Sequence, residues 1–367
     1  MKYNVGKSMN LQAEACVEEV CRQFSNPKLI LYYSQGEQFE TYTKLLHNKY
    51  PESICMGATT LVNINQAGAD KKGLMAVGIE SGITCCADVL EDANKYPIKY
   101  VDRIERCVKE VGNIKDTLCL EFTTAFCCAE ESVLSALNSV LLDKKIPIFG
   151  GTAGDDISST TTLVGLNGKV YQNSAVFALI HNESGAIHFY RENIYKPVSG
   201  NTVTATKVDY LNRTVKEFDH KPAQTVYAKE LGIPESQIQA HFDTNPMGRV
   251  FGDDLYITAN CTQTADKGIT YHARIYNNYK MTVLEPDDYK KVTQTTIEKI
   301  KREVPNHSFV IMCHCLARTL LYDGNGYLQE YVKKMGSVLG DYIGFSGYGE
   351  QLNRQHFNQT MTLAVFE

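Results

Sequence analysis

The chain has 367 residues, 43% hydrophobic and 22% charged, with a net charge of -5. That is room for two domains with ordinary cores, and it excludes a disordered chain. The acidic balance argues against a broad electrostatic grip on nucleic acid or an anionic membrane, and no stretch approaches the roughly 20 apolar residues of a membrane helix.

The first 24 residues lack the apolar run of a signal peptide. Residues 9–24 read as a short amphipathic helix, part of an N-terminal helical extension over 1–26. LILYY at 29–33 is a strand between Pro27 and the turn at 34–36. Residues 38–50 have helical spacing and stop before Pro51. Strands follow at 53–56 and 73–79, a helix at 101–111, a strand at 117–122 and an amphipathic helix at 130–142. A strand at 147–149 enters GGTAGDD, and the strand-like run 175–180 closes the first half. The second half begins near His188. Strands are expected at 202–209, 255–259, 309–315, 341–345 and 359–366. Helices are expected at 223–231, 289–303 and 325–339, with a further short helix over 214–221. Asp253–Asp254 reads as a turn.

Twelve cysteines sit mostly within apolar runs, where thiols act as small hydrophobes. Without an export signal, reduced thiols and a cytoplasmic location are expected, and the adjacent pairs Cys85–Cys86 and Cys127–Cys128 would be strained as disulfides. In Cys313-His314-Cys315, a strand puts the two cysteines on one face and the histidine on the other. Two thiolates without a CxxC partner are too few for structural zinc, so no metal is expected.

An internal echo runs through the chain. TLCLEF, a helix, IFGGTAGDD and YQNSAVFALI in the first half parallel FVIMCHC, a helix, YIGFSGYGE and HFNQTMTLAVF in the second. A shorter relative, MGATT at 56–60, lies earlier. The fold class expected is α/β: two related halves with mixed β-sheets flanked by helices. Two similar halves usually put a ligand at their junction.

GGTAGDD, from Gly150, Gly151, Thr152, Ala153 and Gly154 to Asp155 and Asp156, is the sharpest motif. Its glycines allow close backbone approach or positive φ, and exposed N–H groups in such a turn cradle carboxylate or phosphate. The two aspartates would accept hydrogen bonds from an amine. Together these suit a zwitterion such as an amino acid. GFSGYGE supplies Ser346, Tyr348 and Glu350. It is not a nucleophile elbow, because Tyr348 stands where that motif needs glycine, and no catalytic residue is assigned. Arg318 follows a strand at its carboxyl end, where ligands bind in open α/β sheets, and could grip a carboxylate bidentately. Asn358 is the counterpart of Asn173 in the echo.

These residues, with HFNQTMT, resemble the FIST N and FIST C domains in that order, over roughly residues 27 to 367. The resemblance places FIST N at 27–200 and FIST C at 201–367. Thr152 replaces the family's usual serine, and Ser346-Gly347 departs from its pattern before YGE. The resemblance implies a sensory, signal-transducing protein that binds a small molecule such as an amino acid rather than an enzyme; an enzyme of unknown reaction with a cysteine or serine nucleophile is an alternative reading of the residues. A separate kinase, chemotaxis or cyclic-dinucleotide protein would carry the output. No cofactor is expected; a haem that senses nitric oxide is the alternative the family implies, with no histidine singled out as its ligand.

Overall fold

The computed structural model describes residues 1–252 and 254–367. Contacts divide the chain into two compact units. The first comprises 1–191, 297–355 and 361–367; the second comprises 192–296 and 356–360.

The first unit opens with β1 (Lys2–Ser8) and α1 (Ala13–Val20). The expected 9–24 helix is thus shorter, and a strand precedes it. The alternation of Tyr3 and Val5 with Lys2 and Asn4 is a strand period, and it pairs β1 with β6. Then come β2 (Leu29–Ser34), α2 (Gly36–Lys49), β3 (Ile54–Thr59), β4 (Asn63–Asn65), β5 (Gly68–Asp70), β6 (Leu74–Ser81) and β7 (Ile83–Leu90). After α3 (Val101–Val111) follow β8 (Thr117–Thr123), α4 (Glu130–Leu141), β9 (Ile148–Thr152), β10 (Val164–Leu166), β11 (Lys169–Tyr171), β12 (Ala175–Asn182) and β13 (Ile187–Asn193). The chain returns with β14 (Phe309–Cys315), α5 (Leu316–Gly324), α6 (Leu328–Leu339), β15 (Tyr342–Gly347), β16 (Gly349–Leu352) and β17 (Thr360–Phe366).

These elements make one pattern three times. β2–α2–β3, β8–α4–β9 and β14–α5–α6–β15 are each a parallel pair joined by helix. Each first strand has an antiparallel neighbour on its other side: β6, β12 and β17. The 56–60 echo in the sequence is therefore a full third repeat.

Each second strand is flanked by a strand borrowed from another repeat. After β3 the chain crosses to pair β4 with β15. After β9 it crosses to pair β10 with β3. After β15 it crosses to pair β16 with β9. The three sheets thus exchange strands in a closed cycle. Between them lies one apolar core, with Leu31, Tyr33, Met75, Leu120, Phe122, Ile311 and Phe345 buried. At its centre Tyr33, Phe122 and Phe345 meet with ring centroids 5.1–5.6 Å apart, a spacing typical of attractive aromatic pairs.

In the second unit, strand Val203–Asp209 pairs with Thr214–Phe218 and with Lys280–Pro286. The short helix expected over 214–221 is thus a strand: Val215 and Phe218 enter the unit's core and β-branched residues dominate its start. Helix Ala223–Leu231 packs on that core through Val226 and Tyr227. Asp253 lies outside the described residues, and Asp254 opens strand Asp254–Thr258.

The sulfurs of Cys86 and Cys107 are paired as a disulfide between β7 and α3, their Cα atoms 5.2 Å apart. The expectation of reduced thiols is corrected here: these two residues, 21 apart in sequence, meet because α3 packs on the outer strand. Cys313 and Cys315 are buried in β14. Among the described residues, no helix is long and apolar enough to cross a membrane.

Candidate functional site

The three crossings meet in a ring of backbone hydrogen bonds. Gly154 N–H donates to Thr59 O (2.9 Å), Leu61 N–H to Ser346 O (3.0 Å) and Tyr348 N–H to Thr152 O (3.1 Å). Thr59, Thr152 and Ser346 occupy equivalent places in β3, β9 and β15. From Thr59 to its counterpart Val62, and from Ser346 to Gly349 opposite Thr152, only two residues intervene. The third crossing runs from Thr152 to Leu163, opposite Thr59, and takes the ten residues 153–162. Symmetry does not require this excursion, and it carries Asp155 and Asp156.

The excursion forms one wall of a cleft of about 510 Å³. Asp155, Asp156, Ser158 and Ser159 face Gln35, Glu37 and Gln38 at the start of α2, Lys71 and Lys72 before β6, and the loop at 9–11. Asp155 is half-buried. Its Oδ1 accepts from Gly36 N (3.2 Å) and Asp156 N (2.9 Å), so it caps α2, for which Gln35 makes no side-chain cap. Burial holds its carboxyl above the ordinary value, against the pull of those two N–H groups. Asp156 accepts from Ser158 N and Oγ at 2.9 and 2.6 Å, and these bonds hold its carboxyl below the ordinary value. Lys71 pairs with Asp323 at 2.7 Å; among the described residues Lys72 has no ion-pair partner. Gln38 gives its Nε2 to Leu11 O (3.2 Å), and its Oε1 is shielded from solvent without a hydrogen-bond partner. Both signs of charge thus line one opening of ligand size.

The expected glycine roles differ. Gly150, Gly151 and Gly154 are not among the positive-φ residues. A Cβ at Gly150 would strike Glu121 O, and one at Gly154 would strike Ser346 O. The close approach is between strands of the protein itself. Nor are the N–H groups an open cradle: those of Ala153, Gly154 and Asp156 bond within the fold.

Thr152 belongs to a buried polar layer. Its hydroxyl accepts from Gln351 Nε2 (2.9 Å) and donates to Glu130 Oε1 (3.3 Å). Nearby, Thr123 donates to Glu121 Oε2 (2.7 Å). Burial pushes the Glu121 carboxyl up to about 8, with Glu130 adding to the rise, so Glu121 holds its proton at neutral pH. Glu350 is buried in β16 opposite Gly151, and the Tyr348 ring packs on Phe126 at 5.1 Å.

Arg318 does not reach the cleft. It lies in the first turn of α5, a helix whose pattern was not recognised in the sequence, and is fully buried. Its guanidinium sits 5.0 and 5.6 Å from the rings of Tyr322 and Tyr331. Burial and this cation together hold His314 well below the ordinary histidine value. Ser346 Oγ bonds to Thr319 Oγ1 (2.7 Å), which bonds in turn to His314 Nδ1 (2.9 Å). A threonine hydroxyl therefore separates serine from imidazole, and all three side chains are buried. Asn358 belongs to the second unit, where its Oδ1 accepts from Ala259 N (3.1 Å).

A histidine-ligated haem would need a histidine on a cavity wall. The cleft and two further cavities, of about 380 and 510 Å³, have none. His181 is bonded by Asn113 and Thr117, and His188 by Glu367. These three cavities therefore offer no histidine to a haem iron.

Sequence reasoning found Asp155 and Asp156 but missed the opposite walls at 9–11, 35–38 and 71–72. A signal was present at one of them: Gln35-Gly36-Glu37 follows β2 at its carboxyl end, the position where α/β sheets bind ligands.

An uncharacterized protein of Methanocaldococcus jannaschii is 24% identical over 320 residues, covering 77% of this chain and 61% of its own length. The chain thus spans about three fifths of that relative. Residues 28–221 match the FIST N domain and 223–353 the FIST C domain. The chain belongs to the FIST family, whose domains are associated with sensing and signal transduction.

Proposed function

We propose that this protein is an intracellular sensor that takes a small zwitterion, an amino acid or close relative, in the cleft beside Asp155, and passes the change to a separate signalling protein. The observation that carries the reading is the ten-residue excursion after Thr152. Two equivalent crossings do without it, and it brings two carboxylates to a cleft that also holds Lys72. Asp155 and Asp156 offer acceptors to an ammonium group; Lys72 offers charge to a carboxylate. Because Asp155 also caps α2, a ligand that engages it would pull on the helix that joins β2 to β3. That gives the site a route to the rest of the first unit.

The test is a thermal-shift and calorimetric screen against the common amino acids, with haemin alongside. A ligand at 100 times its dissociation constant adds about 2.7 kcal/mol of stability. Binding of an amino acid that is lost in Asp155→Ala and weakened in Lys72→Ala supports the reading. Full affinity retained in both variants would remove the site from consideration, and a response to haemin alone would replace the ligand class.

A further inference from the structure

The loop between β1 and α1 has a property that a site for a purely polar ligand does not need. Met9 is 60% exposed and Leu11 is 77% exposed, and both line the cleft. Isolated exposed apolar residues need no explanation. These two differ because the loop that carries them is fixed by its own hydrogen bonds.

Asn10, between them, is turned toward α1. Its Nδ2 donates to Glu19 Oε1 (3.0 Å), its N–H to Ser8 Oγ (3.0 Å), and its Oδ1 accepts from Gln12 N (3.0 Å). Ser8 Oγ donates to Glu19 Oε2 (2.5 Å). From the other side Gln38 Nε2 donates to Leu11 O (3.2 Å). Asn10 also borders the opening but has its polar atoms tied to Ser8, Gln12 and Glu19, while the two apolar side chains are left in water, on a wall of an opening whose other walls carry charge. A held apolar surface loses little freedom when a ligand covers it.

We infer that the cleft selects a zwitterion with a sizeable aliphatic or thioether side chain, of the leucine or methionine kind. This rests on the reading of the cleft as an amino-acid site and narrows it. The charged head lies at Asp155 and Lys72, and the side chain lies on Met9 and Leu11. A small or polar amino acid would satisfy the first half and leave the second exposed.

Apolar contact of this kind discriminates by about ten-fold or more when several carbons differ. Leucine and methionine therefore bind at least about ten-fold tighter than alanine or serine. In the full chain carrying Met9→Ser and Leu11→Ser, leucine and methionine affinity drops to near the alanine value measured in the same variant. Neither side chain belongs to the buried core, so the double variant folds; its melting temperature without ligand checks this.

Three results are distinguishable by isothermal titration. Tight leucine or methionine binding that collapses toward the alanine value in the double variant supports the inference. Equal binding of alanine, serine and leucine, or a leucine preference that survives the double substitution, overturns it and leaves the amino-acid reading standing. No binding of any amino acid overturns both.

Discussion

Two crossings of the first unit can be set against the third. Thr59 to Val62 and Ser346 to Gly349 each pass between sheets in two residues. Thr152 to Leu163 makes the same passage in ten. The short crossings show what the fold requires: a strand end, one ring hydrogen bond and a strand in the neighbouring sheet. What the long one adds is a carboxylate-bearing lobe, a helix cap supplied from far away in sequence, and one wall of the cleft. Function is best sought in what the third crossing has and its siblings lack.

The largest effect is expected where the long crossing still obeys the ring. Gly154→Val would drive a side chain into the Ser346 carbonyl and should cost more than about 4 kcal/mol or prevent folding. At the equivalent position Tyr348→Ala meets no such clash; it removes the packing on Phe126 and should cost about 1 kcal/mol. Denaturant melts of the two variants measure the contrast; equal losses would mean that the ring is not the constraint.

Next comes the buried layer under Thr152. Glu121 has a folded value of about 8 against 4.5 for the free side chain. Between those limits only the folded state holds the proton, so stability falls as pH rises from about 4.5 to about 8 and is level above. Glu121→Gln removes this slope. The variant should match the wild type near pH 4.5 and exceed it by a few kcal/mol at pH 8.5. Melting curves at both ends check it, and parallel pH profiles would contradict it.

The smallest effect tests the comparison itself. Replacing 153–162 with Gly-Gly, the length of the crossing at 347–348 and free of a side chain where Gly154 meets Ser346 O, should keep the fold. It loses the Asp155 cap on α2 and the bond from Ala125 N to Thr162, together about 2 kcal/mol. Ligand response should vanish. A shortened chain that still binds would place the site elsewhere.

The sequence announced most strands and helices of the first unit because their apolar periods are strong: 101–111 matches α3 residue for residue. It did not announce the exchanged strands. β4, β10 and β16 are three or four residues long, and their partners lie far away in the chain, so no local period marks them. The motif GGTAGDD was visible, but its glycines looked like ligand contacts. Only the structure shows Glu121 O and Ser346 O in the space where their side chains would be. Arg318 was misjudged for a related reason. A nine-residue helix directly after a strand buries what looked like a residue at an open strand end.

The strand exchange also sets an order of assembly during synthesis. β4 is made early, at residue 63, yet its sheet partner β15 begins at residue 342. β9 likewise waits for β16. Closing these distant pairings is slow, since the chain must pay loop entropy before the contacts form. Until residues 342–352 are made, β4 and β9 present bare edges. A nascent chain halted before residue 342 would therefore be a natural client for chaperones, and the finished ring a late, all-or-none event.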